Sequence, residues 1–138
     1  MTLQAIKSEF RHYRLLEQEL QRAAEETRRW QAKREQWKSG GRPKPSAALL
    51  ARVSALEEQL QQRAAQLVEE RQRVQAQIDA IPDRTLRLIL EYHYIDGMTL
   101  EKIAMRLHYS YVHICRLHRQ ALDWLASHQE EGRVSGWN

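Results

Sequence analysis

Six histidines and a single cysteine are the side chains of this 138-residue chain best suited to hold a metal or move a proton. Three of the histidines and Cys115 fall within EKIAMRLHYSYVHICRLH, residues 101–118. Their spacing does not suit shared ligation. On a helix His113 and Cys115 point in different directions, and so do His113 and His118. No Cys-x-x-Cys or His-Glu-x-x-His spacing occurs. The pairs Glu25-Glu26, Glu57-Glu58 and Glu69-Glu70 read as solvated helix faces that pair with arginine within their own helices. Neither a Gly-rich phosphate loop nor a nucleophile elbow is present. The expectation is a protein that is not an enzyme and has no metal site, no cofactor and no small-molecule substrate.

The same stretch suits another chemistry, the reading of DNA. A helix-turn-helix needs a small residue where its helices cross, a tight turn, and apolar positions that seal both helices. Ala104 is the small residue. Ile103 and Leu107 face inward on the first helix, and Ile114 and Leu117 on the second. Ala121, Leu122 and Leu125 extend that face. His108 occupies the turn, where glycine is more usual, and histidine tolerates positive φ better than most residues. Tyr111, Val112, Cys115, Arg116 and Arg119 are then left outward or on the flank. Phosphate contacts are expected from Thr99, Lys102, Arg106, Ser110 and Arg119, with His113 and His118 adding charge only when protonated.

Two long helices must carry this element. Leu3, Ile6, Phe10, Tyr13, Leu16, Leu20, Ala24 and Thr27 repeat at three-four spacing, which predicts a helix over 3–37. Val53, Leu60, Leu67, Val74 and Ile81 repeat every seven residues and predict a second over 47–81. Arg63, Glu70 and Gln77 dilute the companion row. SGGRPKPS, 39–46, breaks the pattern, so the two helices are expected to fold back as a coiled-coil-like hairpin over 1–81 with a basic loop at 38–46. Trp30 and Trp37 sit in the basic run RRWQAKREQWKSGGRPK. They either stack on a partner or seal the open end against Leu49 and Leu50, and the structural role is preferred. Pro82 marks the next boundary. Asp83 caps a helix ending at Asp96-Gly97, Thr99 caps 100–107, and Ser110 caps 111–126. The tail, 127–138, reads as loose. The fold class is therefore all-α.

Charge is balanced from Asp83 onward, and the formal excess of +4 comes from the N-terminal part. No apolar run is long enough to span a bilayer, and MTLQAIKSEFRHYR has no apolar signal core. The expected location is the cytoplasm.

LRLILEYHYIDGMTLEKIAMRLHYSYVHICRLHRQALDWL resembles the DNA-binding region four of bacterial sigma factors. The shared run is R-x-L/I-L-x-x-x-Y-x-x-G-x-T-x-x-E/K-I-A-x-x-L, then Ser, then a helix ending AL-x-x-L. With its helical N-terminal half, the chain is similar to small phage-encoded regulators of the RinA and ArpU types. The sigma pattern implies base contacts by Tyr111, Val112, Cys115 and Arg116. Only Arg116 among these can grip guanine bidentately, while Val112 and the Tyr111 ring suit thymine methyls. Sigma-type promoter specificity is therefore not implied. The phage resemblance implies a sequence-specific regulator of phage or prophage genes that binds double-stranded DNA in the major groove with helix 111–126. A homodimer is expected, with RNA polymerase a candidate second partner. Two other classes remain open: a ring-forming, small-terminase-like packaging factor, and a coiled-coil adaptor between proteins.

Overall fold

The computed structural model describes residues 2–40 and 45–136, with side chains through 128. Part of the expected basic loop, 41–44, and the last two residues of the tail lie outside the described residues. All regular structure among the described residues is helical: α1 (Leu3–Lys38), α2 (Ala47–Asp79), α3 (Arg84–Leu90), α4 (Leu100–Leu107) and α5 (Tyr111–Gly136). None of these helices is long and apolar enough to cross a membrane.

Each helix starts where a short polar side chain can take an otherwise unbonded amide. Thr2 accepts from the Ala5 N–H at 3.1 Å and Ser46 from the Leu49 N–H at 3.1 Å. Asp83, Thr99 and Ser110 do the same for Leu86, Lys102 and His113. Two helices depart from expectation. α3 runs on into a π-helical turn, Glu91–Ile95, and α5 continues past Ala126 to Gly136, where a loose tail was expected.

The chain forms two compact units. One comprises residues up to Arg14 together with those from Glu70 onward, and the other comprises Leu15–Glu69. In the first unit Ile6, Phe10, Tyr13, Val74, Ile78 and Ile81 of the long helices' apolar rows are buried. Gln77, expected only to dilute the seam, donates to Glu9 at 3.0 Å. A polar pair thus occupies a seam position and favours this register over its neighbours.

In the second unit Val53 and Thr27 are buried, and Thr27 satisfies its hydroxyl by donating to the Ala23 carbonyl at 2.8 Å. Glu57 does not pair within its own helix as expected. It accepts from Arg34 at 2.6 Å and from Gln31 at 3.0 Å, both on α1. Those bonds, the Arg34 one foremost, hold the Glu57 carboxyl below its ordinary pKa. Glu70, in the other unit, does pair within its helix, with Arg73. Trp30 and Trp37 are both half-buried, and the Lys33 ammonium lies 4.8 Å over the Trp30 ring.

Candidate nucleic-acid interface

The first compact unit holds the helix-turn-helix, and its geometry begins at the end of α2. Arg87 donates to the carbonyls of Ile81 at 2.7 Å and Pro82 at 3.2 Å. It thereby satisfies carbonyls at the point where Pro82 stops the helix. Ile89 and Leu90 are buried. The π-helical turn follows, its wider pitch fixed by the Asp96 N–H bonding to the Glu91 carbonyl at 3.0 Å. His93 Nδ1 lies 2.8 Å from the Met98 carbonyl. A carbonyl only accepts, so Nδ1 carries the proton. Gly97, at φ +74°, then reverses the chain into Thr99 and α4.

The corner between α4 and α5 is closed by backbone bonds. His108 adopts φ 60° and ψ 39°, the left-handed conformation. Its N–H bonds to the Met105 carbonyl, and the Tyr109 N–H to the Ala104 carbonyl at 3.0 Å. This is the paired bonding of a Schellman cap, usually made by glycine. Ile89, Ala104, Ile103 and Ile114 are buried together beneath it, with Leu107 and Leu117 packed at their edge. The tight turn at His108 and the inward roles of Ile103, Ala104 and Ile114 are as the spacing led us to expect.

The outward residues divide into three sets. Tyr111 and Val112 are 48% and 66% exposed, and Arg116 is exposed, so the opening turns of α5 present two apolar groups and a guanidinium. Cys115 is half-buried, one helical turn beyond Tyr111, and its proximity raises the pKa of the Tyr111 hydroxyl. Thr99, Lys102, Arg106, Ser110 and Arg119 are exposed. Thr99 and Ser110 accept backbone N–H groups as caps, and each hydroxyl still has its own proton to donate. The Arg106 guanidinium lies 5.2 Å over the Tyr92 ring. Arg119 approaches Asp123 at 4.0 Å, a weak surface pair. His113 is half-buried, edge-on to the Tyr109 ring at 5.0 Å.

Three features were not anticipated. Met105 is 77% exposed and Tyr109 42% exposed, so the apolar surface extends from α5 back across the turn. His118 does not serve as an outward cation. Its Nε2 lies 2.8 Å from the Tyr94 hydroxyl, and burial, with His93 and Lys7 nearby, lowers its pKa to about 4. Burial likewise raises Tyr94 to about 12, against the pull of Arg11. Lastly, a cavity of about 320 Å³ opens beside these rings, lined by Lys7, Arg11 and Arg14 together with His93, Thr99 and His118. The sequence signal for it was a row of bases at i, i+4 and i+7 on α1, but a row alone does not reveal what it faces. Among the described residues no cluster of three or more His, Cys, Asp or Glu is placed to hold a metal ion.

Residues 28–126 match the family model described as protein of unknown function, DUF1492. No curated protein matches the chain. No solved structure matches it either.

Proposed function

The chain belongs to the DUF1492 family, described only as of unknown function, and we propose that it is a non-enzymatic, sequence-specific DNA-binding regulator of transcription. One observation carries this reading. The left-handed corner at His108 sets α5 on a sealed core while leaving Tyr111, Val112 and Arg116 exposed on its opening turns. A recognition helix contacts base edges with those N-terminal residues. Lys102, Arg106 and Arg119, with the Thr99 and Ser110 hydroxyls, supply phosphate contacts around them. The resemblance to small phage-encoded regulators extends the proposal to phage or prophage genes. The long helices serve to pair two copies, so that two modest modules bind with higher effective affinity. RNA polymerase is a candidate partner in the same proposal.

The test is selection of bound duplexes from a random library, followed by titration of the enriched sequence at several salt concentrations. A recovered motif, and affinity that falls steeply with salt, are expected. Recovery of no motif at any salt concentration would sink the reading. Mass measurement in solution separates the dimer from a packaging-type ring.

A second reading has its own support. Met105, Tyr109, Tyr111 and Val112 form an exposed apolar group at the same turn, which also suits a protein partner. A protein adaptor would fail the duplex selection and retain partner capture through these four residues.

A further inference from the structure

The cavity beside the π-helical turn has a composition that the DNA-reading face does not explain. Lys7 and Arg11 stand at i and i+4, so they share one side of α1. Like charges at this spacing repel unless something anionic lies between them. No carboxylate is among the described lining residues. The nearby Glu9 is engaged with Gln77. His93 and Thr99 line the same cavity. His93 is oriented by its bond to the Met98 carbonyl, and Thr99 keeps a hydroxyl proton while capping α4. His118 contributes a neutral wall, being tied to Tyr94. The space is large enough for a tetrahedral oxyanion with part of its substituent.

We propose that this cavity binds a phosphate-type oxyanion, held by Lys7 and Arg11 of α1 against Thr99 and His93. Two sources offer that chemistry: a backbone phosphate of bound DNA, or a free phosphorylated small molecule. In the first case α1 is part of the DNA footprint, and this arm alone rests on the DNA-binding reading above. In the second the cavity senses a ligand, and it does so next to the turn that leads into α4.

The experiment uses the full chain and two charge-matched variants. One is Lys7→Gln/Arg11→Gln. The other is Arg28→Gln/Arg29→Gln, which removes the same charge from exposed positions of α1 outside the cavity. Each protein is titrated with inorganic phosphate while the His93 and Thr99 NMR signals and the melting temperature are followed. Each is then titrated with duplex DNA across a salt series. A saturating phosphate response in the wild type and the control, absent from the cavity variant, supports the site. With a DNA phosphate as occupant, the cavity variant also loses about 1 from the slope of log affinity against log salt relative to the control. With a free ligand as occupant, the phosphate response is lost while the slope matches the control. If neither measurement separates the cavity variant from the control, the site is overturned. Circular dichroism checks the fold, and should the double variant lose helix, the exposed Arg11→Gln alone is read in the same titrations. Absence of DNA binding with an intact, cavity-dependent phosphate response would sink the DNA reading and leave the cavity standing.

Discussion

The Tyr94 hydroxyl lies 2.8 Å from His118 Nε2, which ties the π-helical turn to the third turn of α5. Burial of the same imidazole, with His93 and Lys7 nearby, also makes stability depend on pH with a defined sign. His118 falls to a pKa of about 4 in the folded chain from an ordinary 6.5. Between those values the unfolded chain binds the extra proton, so stability decreases as pH falls. The contribution is fully present above pH 6.5, declines as pH drops toward 4, and is level below. About 1–3 kcal/mol is expected, less than the full shift because the half-buried ring keeps contact with water. His118→Gln should flatten the melting profile over that window relative to the wild type. An NMR titration in which His118 protonates near its ordinary value would contradict this account.

Gly97 makes a separate prediction. Its φ of +74° strains any L side chain, and an added Cβ would lie 2.5 Å from Arg14 Nη2 and 2.8 Å from Cζ. The guanidinium is the far end of a flexible side chain and can move aside, whereas the backbone cannot. Gly97→Ala is therefore expected to cost about 1–2 kcal/mol, dominated by backbone strain. Combining it with Arg14→Ala should recover only a minor part. Near-complete recovery in the double variant, measured by denaturant unfolding, would make the steric contact the true cause.

How much of this was legible beforehand follows from range along the chain. Asp83, Thr99 and Ser110 were readable as caps because a cap is decided within three residues. Burial of Ile6, Phe10, Val53 and Val74 followed from periodicity. The π-helical turn was not legible. It is accompanied by contacts of His93 with Met98 and of Tyr94 with His118, and the second of these depends on where α5 lands. The outward exposure of Arg116 could be read from its neighbours' spacing. The burial of His118 could not, since it lies only two positions farther on the same helix and differs by what packs over it. The Glu57–Arg34 pair and the Lys7–Arg11 cavity wall likewise need tertiary register.

His108 offers a test of the corner itself. A non-glycine residue in the left-handed region is strained by about 1–2 kcal/mol, which glycine would relieve. Glycine returns part of that gain through its larger unfolded-state entropy, about 0.5–1 kcal/mol. His108→Gly should therefore hold stability or raise it by up to about 1 kcal/mol. His108→Val should lower it, because a β-branched residue fits positive φ worst. A clear loss of melting temperature in the glycine variant would show that the imidazole makes a contact worth more than the strain.

Arg116 is the sharpest test of the reading face. It is exposed on the second turn of α5, which it shares with Cys115, after Tyr111 and Val112 on the first. Of these residues only the guanidinium can make two directed hydrogen bonds to a guanine edge. Arg116→Ala should weaken specific binding by about 1–3 kcal/mol and relax preference at one base position. Arg119→Ala should instead weaken binding to all sequences alike, because it acts on phosphate alone. Lysine at 116 keeps the charge without the planar fork, so it should retain non-specific affinity while losing discrimination. Titration of these three variants against single-base operator variants separates the roles. An Arg116→Ala protein whose affinity falls equally on every operator would move Arg116 into the phosphate set and leave Tyr111 and Val112 as the reading residues.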